Sequence, residues 1–288
     1  MNRQEILSRE REYAKVAGVA AIASAPLYIV SSYLRGTSPV LDFSLATEQV
    51  RVAHDESASQ LIAAIIGGLG ILLLAVPLFY LFRAAQARSE RVAPPMIGFV
   101  FIGPVLLGAA TIISAIAQDQ IASDFVAQSG QSGDIYTLFH DLVDDSTLAS
   151  VGSNLALPGI LGMVVAMVYV PLQSMRVGLL TRFFATLGMA LGASLILIPY
   201  QYSLLAVSIW FAWLGFLFLD RVPNGRPPAW AAGEAIPWPR PGEQPIEPQP
   251  AVVEGDATEA FGSGEADSSK DQSARRERAR KKKRKRRQ

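Results

Sequence analysis

The chain has no cysteine, only two histidines, and few charges for its 288 residues: 18% are Asp, Glu, Lys or Arg, against about 25% in an ordinary soluble domain. Without cysteine there is no disulfide framework, no thiol nucleophile and no thiolate metal centre. The low charge, with half of all residues hydrophobic and a mean hydropathy of +0.28, excludes a soluble globular enzyme. Recognisable catalytic motifs are missing too. There is no phosphate-binding loop with its lysine, no GxSxG and no HExxH. The cluster Gly67-Gly68-Leu69-Gly70 lies inside an apolar run with no strand before it. It reads as a place of close helix approach rather than a phosphate cradle.

What is present is a series of apolar blocks, nearly all before Arg221. A bilayer crossing needs about 20 such residues. The blocks predict six spans, at about 14–34, 61–82, 94–117, 148–172, 183–199 and 204–219. The fold class is therefore all-α, a polytopic membrane helix bundle of six transmembrane helices over 14–220. It follows a polar segment 1–13 and precedes a tail 221–288. Ala23-Ser24-Ala25 has the small residues of a signal cleavage site, but the apolar run continues through Val30, so the first span is expected to remain uncleaved. The last two blocks together are too long for one crossing and read as a tight hairpin, with Pro199 ending the first helix.

Connector charge sets the expected orientation. Arg3, Arg9 and Arg11 precede span one and Lys15 sits at its start, Arg83, Arg88 and Arg91 follow span two, Arg176 and Arg182 follow span four, and Arg221 and Arg226 follow span six. On the other side, the first loop holds only Arg35 and Arg51, and 118–147 carries Asp119, Asp124, Asp134, Asp141, Asp144 and Asp145 and no Lys or Arg. The positive-inside rule places both termini in the cytoplasm of a multi-pass cell-membrane protein.

The formal net charge of +1 averages opposite blocks. Eleven of the 26 cations lie between Arg275 and Arg287 and, with Glu277, give that stretch +10. Before it, 223–250 is rich in Pro and Glu and 251–274 in Gly, Ser, Ala and acid. Neither composition buries enough apolar area to offset ordering entropy, so 221–288 is expected to be disordered. The basic block, with Arg280, Lys281, Lys282, Lys283, Arg284, Lys285, Arg286 and Arg287 at its heart, suits anionic lipid. It also suits RNA, ribosomal RNA included, although no aromatic side chain is interleaved for base stacking.

Three further readings concern the bundle. Gly188 and Gly192 form a GxxxG in span five, and Ala17, Ala21 and Ala25 a small-residue ridge in span one. Both suit close helix packing, within the chain or across a homodimer. Residues 136–147 have Leu138, Phe139, Leu142 and Val143 on one helical face and His140, Asp141, Asp144 and Asp145 on the other, the pattern of an interfacial amphipathic helix. His54, His140, Asp141 and Asp144 are the candidate ligands of a divalent metal on the outer side, a site that a metal-dependent membrane enzyme would need. No span carries an ionisable residue deep inside. A small-molecule transporter would rely on kinks at Pro104 and Pro158 and on polar Asn154. No cofactor is implied. The leading expectation is a non-enzymatic inner-membrane protein whose polybasic tail contacts anionic lipid or a cytoplasmic partner.

The stretches YAKVAGVAAIASAPLYI and GGLGILLLAVPLFYLFR, with short arginine-bearing connectors between spans, resemble a broad group of uncharacterised bacterial six-span integral membrane proteins. The resemblance covers residues 12–222 and implies the six-span layout. It implies no activity for any residue.

Overall fold

The computed structural model describes residues 3–35, 54, 56–129, 135–223 and 225–239. Among them there are helices, turns and bends and no strand. Helix α1 is Arg3–Leu34, α2 Ser57–Leu73, α3 Ala75–Arg88, α4 Ile97–Gln128 after a 3-10 turn at Pro94–Met96, and α5 Ile135–Asp145. Then come α6 Thr147–Arg176, α7 Arg182–Leu197, α8 Tyr200–Phe218 and the single turn α9 Pro228–Ala232. Four helices are long and apolar enough to cross a membrane: Arg3–Leu34, Ser57–Arg88, Pro94–Gln128 and Thr147–Arg176. Two shorter apolar helices follow.

Each expected apolar block is helical, but several helices outrun their blocks. Helix α1 begins at Arg3, inside the segment read as a polar lead. Helix α4 runs to Gln128, well past Ala117. Polar residues extend a helix beyond its apolar stretch because nothing in them stops it, and the hydropathy limit is not a helix stop. At the hairpin, α7 ends at Leu197 and Pro199 caps the start of α8. The proline therefore opens the second helix, where its missing N–H costs nothing.

Successive neighbours are α8, α1, α2, α4, α6, α7 and again α8, and α3 packs against α1, α4, α6 and α8. A one-residue break at Leu74 separates α2 from α3. Pro77 cannot donate to the carbonyl of Leu73 and its ring crowds that carbonyl. The chain answers with a tight turn in which Leu74 N–H donates to Ile71 O at 3.0 Å. The helix ends fall into two sets. One, the basic end, gathers Arg3, Arg88, Arg176, Arg182 and Arg221. The other, the acidic end, carries α5.

The core holds large apolar side chains such as Phe82, Leu78 and Phe211, while α1 packs mainly through small ones. Along α1, Ala14, Ala17, Gly18, Ala20, Ala21, Ser24 and Ala25 are buried while Val16, Val19, Ile29 and Val30 are exposed. Small residues let backbones meet, and large apolar residues face outward, as lipid contact requires. The closest approach joins α4 and α6. A Cβ on Gly103 would fall 2.7 Å from Met163 Cα, and one on Gly159 2.7 Å from Leu107 N. Both neighbours are backbone atoms that cannot rotate away. Gly103→Ala is expected to destabilise the bundle by about 1–3 kcal/mol. Gly98→Ala, whose added carbon meets nothing closer than 3.8 Å, should stay within about 0.5 kcal/mol. Thermal unfolding in detergent compares the two.

Candidate functional site: the basic end

At the basic end, Arg88, in the last turn of α3, has a fully enclosed side chain and forms an ion pair with Glu10 of α1, whose side chain is 12% exposed. The pair is bidentate: one guanidinium nitrogen meets Glu10 Oε1, the other Glu10 Oε2 at 2.9 Å. The remaining donors of Arg88 go to Ala84 O at 2.9 Å and to Ala229 O at 3.1 and 3.2 Å. Trp230 of α9 lies over this arginine, 5.6 Å from Arg88 Cζ to the ring centre, and also beneath Arg226 at 5.8 Å. Its ring stacks on Tyr80, centroids 5.8 Å apart, and Tyr80 Oη donates to Glu10 O at 3.1 Å. One knot thus ties α1, α3 and the segment after α8.

That segment departs from expectation. Disorder was expected from Arg221 onward, yet 225–239 is a strap bonded across the bundle end. Trp230 Nε1 donates to Leu179 O at 2.9 Å, Ile236 N to Val177 O at 3.1 Å and Trp238 Nε1 to Leu180 O at 2.8 Å. Arg182 donates to Trp238 O at 3.1 Å and to Pro239 O at 2.8 Å. Arg226 donates to Leu217 O at 2.9 Å and to Phe218 O, and lies 3.5 Å from Asp220. Both carbonyls belong to the last turn of α8, and that of Leu217 also accepts from Asp220 N at 3.1 Å. The chain can lie so close because Gly178, at φ +80°, has no side chain where the Ile236 carbonyl abuts it. Composition hid the strap because prolines dominated the reading. The usable signal was tryptophan: two of the chain's four, Trp230 and Trp238, sit there, and disordered segments are poor in aromatics. The rest of the expected tail, 240–288, with the basic block from Arg280 to Arg287, lies outside the described residues.

Two cavities flank the strap and share Trp238 as a wall. One is a cleft of about 610 Å³ lined by Arg88, Arg91, Arg176, Arg182 and Gln173, with no carboxylate among its lining residues. The other is a groove of about 710 Å³ between α7 and α8, lined by Phe183, Leu187, Leu191, Ile209 and Trp213, with Arg226 at its basic-end mouth.

The other candidate residues are placed as follows. His54 Nδ1 is 3.4 Å from Ser123 Oγ, and His140 packs edge-on against Tyr136 at 4.5 Å. Asp141 and Asp144 are exposed on α5. Among the described residues no three His, Asp or Glu side chains gather as metal ligands would, so His54, His140, Asp141 and Asp144 form no common site in this structure. Helix α5 itself is amphipathic as expected: Leu138, Phe139, Leu142 and Val143 are half-buried, and Phe139 meets Phe125 edge-on at 6.2 Å. The GxxxG pair serves packing within the chain. A Cβ on Gly188 would strike the Trp210 ring at 2.6 Å, and one on Gly192 would lie 2.6 Å from Met167 Cβ. Neither glycine therefore presents a free face to a second copy. Pro104 and Pro158 fall where α4 and α6 touch most closely, and Asn154 is exposed and 3.4 Å from Ser150 Oγ. Pro104 is buried and Pro158 exposed.

Fold and site define an all-helical protein with four helices long and apolar enough to cross a membrane. No protein-family model, curated protein or solved structure matches the chain.

Proposed function

We propose that the chain is a six-span membrane protein with both termini in the cytoplasm, which anchors a polybasic tail beside the membrane and presents it to anionic lipid. The observation that carries this reading is the fastening of the strap. Arg182 and the Leu180 carbonyl hold Trp238 and Pro239 at the basic end. The last described residue, Pro239, is therefore held at the end that bears the arginines, where anionic lipid is enriched if that end is cytoplasmic. Helices α7 and α8, with 16 and 19 residues, serve as the fifth and sixth spans, the first just below and the second within the range of about 17–25 residues. Their exposed Phe183, Leu187, Ile209 and Trp213 form apolar surface that needs lipid. The chain from Pro239 to Arg275 is long enough for the block to lie back on the surface, at up to about 3.5 Å per residue.

The test uses the full chain in nanodiscs, with a dye on a Gln288→Cys variant and an acceptor dye on lipid headgroups. Energy transfer is expected to be high with phosphatidylglycerol and low with phosphatidylcholine, and to fall at about 1 M salt, where screening shortens to about 3 Å. Equal transfer in both lipids, insensitive to salt, overturns the proposal.

A further inference from the structure

The arginine cleft and the α7–α8 groove have properties that neither the fold nor the tail requires. Arg88 is neutralised by Glu10, but Arg91 and Arg176 are exposed and their side chains have no partner among the described residues. Arg182 spends one nitrogen on the strap carbonyls. Gln173 lines the same cleft and is 7% exposed, and its amide has no hydrogen-bond partner among the described residues. No buried side-chain N or O among the described residues lacks a partner, so the Gln173 amide opens to the cleft. Beside arginines with no carboxylate in the lining, it is a further donor for an acceptor-rich anion.

The groove on the other side of Trp238 supplies the second half of a ligand. It runs from the turn at Thr181 up α7 to Leu191, nine residues beyond Arg182, or roughly 13 Å at about 1.5 Å per residue. One leaflet of a hydrocarbon core roughly 30 Å thick is about 15 Å deep. The apolar depth of the groove thus matches an acyl chain of the leaflet at the basic end. Arg182 and Phe183, adjacent in sequence, line the polar and the apolar cavity respectively, and tryptophan is the side chain favoured where headgroup and hydrocarbon meet.

We propose that these cavities form one binding site for an anionic phospholipid. Its phosphate contacts Arg91, Arg176 and Arg182 with Gln173 as a donor, one acyl chain lies between α7 and α8, and Trp238 marks the junction. The site rests on the bundle spanning a membrane and is independent of the polybasic block.

The test is native mass spectrometry of the full-length protein in mild detergent, titrated with dioleoyl phosphatidylglycerol or dioleoyl phosphatidylcholine. The wild type should retain one phosphatidylglycerol in preference to phosphatidylcholine. R91Q/R176Q should weaken that retention by about tenfold or more, the scale expected when two basic contacts are lost. Ala206→Phe, which fills the groove, should weaken it without changing charge. Replacing Arg280 to Arg287 with glutamine should leave it intact. Should R91Q/R176Q or Ala206→Phe unfold early, Gln173→Leu carries the same expectation. The proposal fails if the two lipids are retained equally. It also fails if the cleft and groove variants retain lipid like wild type, or if only the glutamine tail abolishes retention, which would make the tail the lipid contact. If inorganic phosphate displaces the lipid and Ala206→Phe has no effect, the cleft binds a soluble anion and the lipid site is overturned.

Discussion

Replacing Glu10 with alanine is expected to destabilise the protein by about 3–5 kcal/mol, the range for removing one partner of a buried ion pair. The cause is what stays behind. The Arg88 side chain is fully enclosed, and its other donors are already committed to the Ala84 and Ala229 carbonyls. With Glu10 gone, a full positive charge remains beneath Trp230 with no counter-charge in contact. Removing both partners tells the loss of a contact from the stranding of a charge. Glu10→Ala combined with Arg88→Met should recover much of the lost stability, because an apolar side chain of similar length occupies the same space without a charge. Thermal unfolding of the three variants in detergent is the measurement. Equal losses for the single and double variants would mean that the ion pair does not set the stability of this end.

Trp230→Ala should cost about 3–5 kcal/mol, the range for truncating a well-packed large aromatic. The ring is 5% exposed, stacks on Tyr80 and meets Phe218 edge-on at 5.9 Å, and its Nε1 satisfies Leu179 O. Beyond the stability loss, the strap should open locally. Thermolysin should then cut between Ala231 and Ala232, in the turn that carries Trp230, since the loss of the ring removes its bond to Leu179 O and its stacking on Tyr80. Trp213→Ala is the control. Trp213 is 51% exposed on the outer side of α8, and its loss should change stability by no more than about 0.5 kcal/mol. If both variants resist thermolysin like wild type, Trp230 does not hold the strap.

The helices were legible because hydropathy and length alone decide where about 20 apolar residues can run. Their partners were legible only in part. The Ala17-Ala21-Ala25 ridge is buried, with Ala21 beside the close approach of Gly18 and Gly215, as small residues at helical spacing predict. Nothing in sequence spacing pairs Gly103 with Met163, or shows that a turn at Leu74 interrupts Ser57–Arg88. Those depend on which neighbours are present. The Arg88–Glu10 pair was hidden for a related reason. Arg88 counted only as one cation in a connector, and Glu10 stood in a segment read as a polar lead. Only the extension of α1 down to Arg3 brings them together. The metal reading of His54 and His140 took two histidines expected on one side for two at one point, and α5 turns its own histidine against Tyr136 instead. The expected orientation, by contrast, is a sum over connector charges and does not depend on any single helix boundary.

The absence of cysteine from the chain makes that orientation directly measurable. Asp141→Cys marks the acidic end and Glu90→Cys the basic end, both at exposed positions. With a membrane-impermeant maleimide, Asp141→Cys should label in intact cells, and Glu90→Cys only after the membrane is opened. Labelling of both positions in intact cells, or of neither until lysis, would contradict a bundle that crosses the membrane with its arginine-bearing end inside.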